Sequence, residues 1–543
     1  MNFSMDWVHR EILSFLIFFP LLISLLILIT PVKNQCFGCH KKIAFFGAFF
    51  EFIFSLHLIK YFIPTTNYFQ FAQISQWFGG NTGIQYIVGV DGLNLCLVLL
   101  TTTFGFITVF TVFNSIKYRL KEFLFLYFIL QSALIGVFVS LDVILFYLFW
   151  ELSLIPLYFM IGIWGGKNKI YATIKFFIYG VLGSLFMLIS FGYLYVTYHS
   201  MTGAYSSNLL DLYRITPQLP IQTQFWLFLG ITTAFLIKIP VFPFYTWLTD
   251  TYEQAPSVYT IMSGVMLKLS AYGLIRMSLL MFPLAAKYFS PWISALAIIS
   301  ILYGAIIAWQ QTNMRRLMAF SSLSHLGFIV LGIFSFNMMG LQGAIYQMIN
   351  HAITAGAIFI LLNFLMERRE SQNMNDFGGL AAVLPWFSFF FVVAVMGSVA
   401  LPSTGSFIGE WLILNGSFHH HFLFGTLATL GVIFGAVYML WMTYKVLFGP
   451  LKNHSLKNIR PMNFSEVFQL SFLTLAIFIL GFSSRAFFDH SYATLSQIEK
   501  SVNENKPYFS GLTVYQSGYL TSLENNSEKT PVLLSISKEK GVK

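Results

Sequence analysis

Apolar runs of about 20 residues recur along the whole chain, and that repetition leaves few folds open. Fourteen such runs fall near 12–31, 43–62, 91–113, 123–140, 143–164, 171–197, 224–247, 256–280, 291–310, 317–336, 341–365, 385–415, 425–447 and 466–484. Apolar residues make up 57% of the 543 and charged ones only 10%, where about a quarter charged is usual in a soluble domain. That balance excludes a soluble enzyme, a disordered chain and a nucleic-acid binder. In lipid every backbone polar group must be satisfied internally, so only helices or a closed barrel can span. No ten-residue segments of alternating polarity suggest a barrel. The expectation is an all-α integral membrane protein of about fourteen helices, with the lipid bilayer as its first partner.

The net charge of +10 is read as a map of loops. Alternate loops carry Lys33, Lys41 and Lys42; Lys117, Arg119 and Lys121; Lys167 and Lys169; Arg315 and Arg316; Arg368 and Arg369; and Lys445, Lys452, Lys457 and Arg460. The opposite loops hold only Arg10, Lys60, Arg214 and Lys287 before the tail. The positive-inside rule then places both termini outside, which an even helix count requires. The loop at 248–255, acidic through Asp250 and Glu253, breaks the pattern. The first run lacks a basic n-region and a cleavage site, so it reads as a retained span. From 485 onwards the composition turns polar, and no further spanning run follows.

Cys36, Cys39 and His40 spell C-x-x-C-H, a haem-attachment pattern in exported segments. The charge map puts this loop on the cytoplasmic side, where the motif has no assigned role. Cys96 lies within a span and reads as packing.

Ionisable side chains at bilayer depth cost roughly 2.5–3.5 kcal/mol each on insertion scales, so they need a partner or a purpose. Glu151, Lys238, Lys268, His325, His351 and Glu410 all fall inside apolar runs. Taken singly, His57, His351 or Glu51 suits a structural hydrogen-bonding role. Lys175 and Arg276 can snorkel to an interface. Glu151, Lys238, Lys268 and Glu410 together are hard to justify by packing alone. Helix breakers stand beside two of them, Pro240 and Pro243 after Lys238, and Pro402 and Gly405 before Glu410. A broken helix at mid-membrane frees backbone groups that must be re-satisfied, and such breaks mark ion sites in transporters.

These residue types suit proton transfer. A carboxylate about 4 Å from an amine, at an effective dielectric of about 20, favours the charged form by about 4 kcal/mol. Moving Glu151 relative to Lys238 would therefore switch that lysine between holding and releasing a proton. The histidines titrate in the useful range and can relay through water. No P-loop, Rossmann fingerprint or four-cysteine cluster accompanies these groups, so this chain is expected to bind no cofactor.

The segments LFWELSLIPLYFMIGIWGG, FLIKIPVFPFYTWLTD, YEQAPSVYTIMSGVMLKLSAYGLIR, NMRRLMAFSSLSHLGFI and LPSTGSFIGEW, with GVDGLNL at 89–95, resemble the antiporter-like proton-translocating subunits of respiratory complex I. The resemblance implies fourteen helices with two inverted five-helix repeats, whose seventh and twelfth helices are discontinuous. It divides the chain into helices 1–3 (1–122), a first repeat (123–280), a second repeat (291–447), helix 14 (466–484) and a polar tail (485–543). It implies that Glu151 and Lys238 are a coupled pair, Lys268 the central relay, His325 and His351 the connecting histidines, and Glu410 the terminal group. Glu410 in place of lysine, and a tail unable to form a long lateral helix, favour the M-type branch over the L and N types. The implied partners are the other membrane subunits, especially L and N. NADH, FMN, iron–sulfur clusters and quinone belong to the complex, with this chain a non-redox subunit in an energy-transducing membrane, most simply the bacterial inner membrane. The rival readings are a subunit of a multisubunit Na+/H+ antiporter or membrane-bound hydrogenase, and a scaffold without a conduction path.

Overall fold

The computed structural model describes residues 3–31, 37–79, 82–451, 454–508, 510–516, 519–523 and 532–534. Two long helices, α1 (Phe3–Ile29) and α2 (Phe37–Tyr61), precede a hairpin of β1 (Gln70–Gln76) and β2 (Gln85–Val90). Then come α3 (Leu95–Ser115), α4 (Leu120–Val139), α5 (Val143–Trp164), α6 (Lys169–Thr202) and the short α7 (Leu209–Ile215). The middle of the chain forms α8 (Ile221–Lys238), α9 (Thr246–Gln254) and α10 (Ser257–Gly273), the last continuing into a π-helical turn at Leu274–Leu279. The next three are α11 (Pro283–Gln310), α12 (Met314–Ile333) and α13 (Met338–Arg369). There follow α14 (Leu380–Val383), α15 (Pro385–Ser398), α16 (Gly405–His420), α17 (Phe422–Leu447), α18 (Phe464–Phe482) and α19 (Ser484–Glu504). Three strands close the described chain: β3 (Leu512–Gln516), β4 (Tyr519–Leu523) and β5 (Val532–Leu534).

Eleven of these helices are long and apolar enough to cross a membrane. The other three apolar runs of the sequence, at 224–247, 256–280 and 385–415, are interrupted. The first breaks between α8 and α9 and the third between α15 and α16, while the second passes into the π turn. Asn and Asp side chains start several helices by accepting from their first backbone N–H groups: Asp142 for α5, Asn313 for α12, Asn337 for α13 and Asn463, in a capping box with Glu466, for α18. Helix α13 is buried along its entire apolar window, whereas α17 is only 28% buried and turns Leu430, Ile433 and Leu440 outward. The centre of the bundle is therefore α12 and α13, and the outward Leu, Ile and Phe side chains suit a lipid surface.

The chain is mostly helical, as expected, and adds two small sheets. Strands β1 and β2 pair antiparallel, β3 to β5 form a meander, and Phe69 bridges to Leu512. The described part of the polar tail also packs against the bundle. Its helix α19 buries Phe487, Leu495, Ile498 and Val502 and lies across one end of the bundle. There Thr494 accepts from Gly92 N, and Glu499 accepts from Met338 N. Gln73 donates to the carbonyl of Arg10, so the start of α1 and strand β3 both meet β1 on this same end. At the far end, Lys121 donates to Thr30 O, and the basic loops around Lys117, Lys167 and Arg315 line one cleft. The acidic exception at 248–255 has a local cause: Asp250 pairs with Lys175 at 2.6 Å and Glu253 with Arg316 at 3.6 Å.

Candidate functional site

Four of the six singled-out side chains meet at the centre of the bundle, each from a different helix. Lys268 on α10 is fully buried, and its Nζ lies 2.6 Å from Nδ1 of His351 on α13. The His351 ring sits 5.5 Å, centroid to centroid, from that of His325 on α12. His325 Nδ1 lies 3.0 Å from Oε1 of Glu410 on α16, and Gln347 Nε2 donates to the same oxygen at 3.0 Å. The Nε2 of His325 is buried with no hydrogen-bond partner. A small cavity beyond Glu410 is lined by Ser324, Ser398 and Tyr438.

Small residues let α13 and α16 approach closely enough for this contact. A Cβ on Gly343 would lie 2.7 Å from the backbone N of Ile413 and 2.9 Å from the carbonyl of Gly409. Any larger residue there pushes the two backbones apart, and Glu410 moves with α16.

The helix preceding Glu410 breaks where Pro402 and its neighbours stand. In the turn between α15 and α16, Ala400 (φ 59°) and Ser403 (φ 86°) adopt left-handed backbone, a strain of order 1–3 kcal/mol each that surrounding packing must sustain. Thr404 restores order by donating its hydroxyl to Leu401 O at 2.7 Å. The break after Lys238 is re-satisfied from outside its helix. Trp247 Nε1 donates to Ile237 O at 2.9 Å, and Phe242 N donates to Ser300 Oγ at 2.9 Å.

Lys238 stands apart from the central four. Its Nζ donates to Ser153 Oγ at 3.2 Å and lies 3.7 Å from the Trp150 ring centroid, a close cation–π contact. Glu151 occupies the same α5 turn as both of these residues, with Oε1 buried and unpartnered. Among the described residues no ion pair joins Lys238 to Glu151, and no hydrogen bond joins Lys238 to Lys268. The sequence motif brings Glu151 beside Lys238 in the fold without bringing the charges into contact.

One expectation for the other charges needs correcting. Arg276 does not snorkel. It is fully buried, and its Nη2 donates to both carboxylate oxygens of Asp91 at 2.7 Å. Its backbone carbonyl accepts from Tyr213 OH at 2.7 Å, and its guanidinium lies over the Phe69 and Tyr272 rings. The Asp91 carboxylate offsets the cost of burying this guanidinium. Lys175, part-exposed, pairs with Asp250 at 2.6 Å. Burial, and then the Asp91 carboxylate, push the Tyr508 hydroxyl well above the usual tyrosine range. Of the C-x-x-C-H motif, Cys36 lies outside the described residues, Cys39 is a free thiol, and His40 Nε2 is 3.4 Å from Thr30 O. Among the described residues no three His, Cys, Asp or Glu side chains are placed to hold a metal ion.

Sequence reasoning missed Gln347, Trp150, Ser153 and Asp91. The last was visible inside GVDGLNL, at the edge of an apolar run where a charge looks solvated.

The comparisons with known proteins bear on the family and the fold. Residues 140–435 match the family model for the transmembrane protein of NADH:quinone oxidoreductase and Mrp antiporters. NADH-quinone oxidoreductase subunit M of Rickettsia conorii is 36% identical over 480 residues, covering 87% of this chain and 96% of the relative. Among solved structures, a chain of respiratory complex I from Thermus thermophilus with bound NADH superposes with a TM-score of 0.81 at 25% identity, covering 90% of this chain and 99% of that one. A chain of the Mrp complex from Dietzia shares the fold, with a TM-score of 0.77 at 15% identity over 91% of this chain and 99% of that one. The chain belongs to the family of NADH:quinone oxidoreductase/Mrp antiporter transmembrane proteins.

Proposed function

We propose that this chain is a proton-translocating membrane-arm subunit of NADH:quinone oxidoreductase, of the subunit M type, and that it carries no redox step itself. The single observation behind the reading is the side-chain line Lys268–His351–His325–Glu410 in a helical membrane protein. The 36% identity to a subunit M favours this over an antiporter, for which the Dietzia likeness is one of fold.

The chemistry follows from the donor and acceptor atoms. The Lys268 ammonium donates to His351 Nδ1 across 2.6 Å, the separation at which a proton passes along an existing hydrogen bond. His351, protonated at Nδ1, releases the proton on its other ring nitrogen; His325 takes that proton at its open Nε2 while giving the one on Nδ1 to Glu410, as an imidazole with two distinct nitrogens can. Gln347 orients the receiving carboxylate. Lys238, seated on Trp150 and Ser153, feeds Lys268, and Glu151 biases it electrostatically from the same α5 turn. The work that drives the cycle comes from quinone reduction elsewhere in the complex, transmitted through partner subunits of the L and N type.

In this reading the chain crosses the membrane fourteen times. Segments 123–280 and 291–447 are inverted repeats, the α8/α9 and α15/α16 breaks are their equivalent discontinuities, and helices 1–3 (1–122), helix 14 (466–484) and the tail from 485 flank them. Both termini lie on the periplasmic side of a bacterial inner membrane. The test is proton uptake into inside-out vesicles carrying the Lys268→Ala assembly. Pumping is lost while NADH oxidation by a soluble electron acceptor continues; undiminished pumping rejects the proposal.

A further inference from the structure

A second buried carboxyl group lies well away in sequence from the line just described. Glu51 on α2 is fully buried, and its Oε2 accepts from Gln131 Nε2 of α4 at 2.8 Å. The remaining oxygen of each group, Glu51 Oε1 and Gln131 Oε1, is buried and unpartnered. Among the described residues Glu51 makes no ion pair. The groups around the pair are neutral. Gly105 of α3 lies against Gln131, Tyr127 of α4 donates to Gly105 O, and Ser55 on the Glu51 helix bonds Thr102 Oγ1 at 2.7 Å. His57, the next base along α2, is engaged with His9 at 3.2 Å.

Hydrogen-bond accounting narrows the state of this pair. A carboxylate has only acceptors, and the Gln131 carbonyl oxygen is another. An ionised Glu51 would leave two lone-pair oxygens buried on adjoining planar groups with no donor, and the charge itself unpaired. A neutral carboxylic acid removes both problems at once. Its O–H on Oε1 donates to Gln131 Oε1 while Gln131 Nε2 donates back to Oε2, closing a cyclic acid–amide pair. Gly105 makes room for it, since a Cβ there would lie 2.1 Å from Gln131 Nε2.

We infer that Glu51 is a protonated carboxylic acid doubly hydrogen-bonded to Gln131, a proton-binding site in the first four helices separate from the Lys268–Glu410 line. Removing that proton sets two acceptor oxygens against each other, so the α2–α4 contact depends on the proton being held.

Infrared spectroscopy of the purified, assembled complex at neutral pH tests this. In the Glu51→Gln assembly, one protonated-carboxyl C=O band that shifts in D2O disappears relative to wild type. In the Gln131→Leu assembly, the same band moves to higher frequency because its acceptor bond is lost. Glu51→Gln preserves both hydrogen bonds as an amide–amide pair, so it is expected to assemble at wild-type levels. A carboxylate band lost in its place, no band change in either variant, or failure of Glu51→Gln to assemble would overturn the inference.

Discussion

Lys268 and His351 are 83 residues apart in sequence, yet their nitrogens lie 2.6 Å apart between α10 and α13. Both side chains are buried and neither makes an ion pair with a carboxylate among the described residues. An amine and an imidazole at this distance are within hydrogen-bonding range, and in the proposed pathway the pair is a transfer step. Substituting Lys268 by Ala, or His351 by Phe, is expected to lower proton pumping by about 100-fold, the scale of a positioned proton-transfer group. Vesicle acidification, with complex assembly followed on native gels, measures it.

Gln347 gives Glu410 a neutral donor at 3.0 Å. A hydrogen bond to a charged group contributes about 1.5–3 kcal/mol, so Gln347→Leu is expected to slow pumping by a factor of about 10 without loss of assembly. Steady-state pumping rates at matched complex content decide this. An unchanged rate means the amide does nothing for the receiving carboxylate.

Gly343 sets the α13–α16 spacing. Overpacking of this kind costs typically about 1–3 kcal/mol, and at Gly343 the clash falls on the backbone of Ile413. Gly343→Ala is therefore expected to cut pumping more than it cuts assembly, because it moves Glu410 relative to His325. Equal losses in both would place the residue in packing alone.

The Asp91–Arg276 pair predicts a different outcome. Removing one partner from a buried ion pair costs about 3–5 kcal/mol, whereas removing both costs much less. Asp91→Asn and Arg276→Met are each expected to deplete assembled complex, and the double variant to recover part of the loss. Thermal stability of the purified complex, read in a double-mutant cycle, gives the coupling.

The legibility of the fold followed the physics of each part. Spanning helices are written in runs of apolar residues, and the breaks at 239–245 and 399–404 in their prolines. The basic loops around Lys117, Lys167 and Arg315 line one cleft, as alternate loops of like charge suggest. The hairpin at 70–90 was hidden because its Gln-rich alternation sits between helices and looks like a polar loop. Helix α19 was hidden because it buries only one face, leaving its average composition polar. At the site, ionisable residue types were visible one by one, but their pairing was not. Arg276 finds Asp91 across 185 residues, and no local pattern reports a contact of that range. The placement of Lys238 against Trp150 and Ser153, rather than against Glu151, likewise depends on how α8 leans on α5.

The most direct test of the account is the ratio of protons pumped to NADH oxidised in sealed vesicles bearing Glu151→Ala, Lys238→Ala and Glu410→Ala complexes, each checked for full assembly. The account predicts a loss of pumping in each variant, while the redox arm still reduces a soluble acceptor. Wild-type ratios in all three would contradict it.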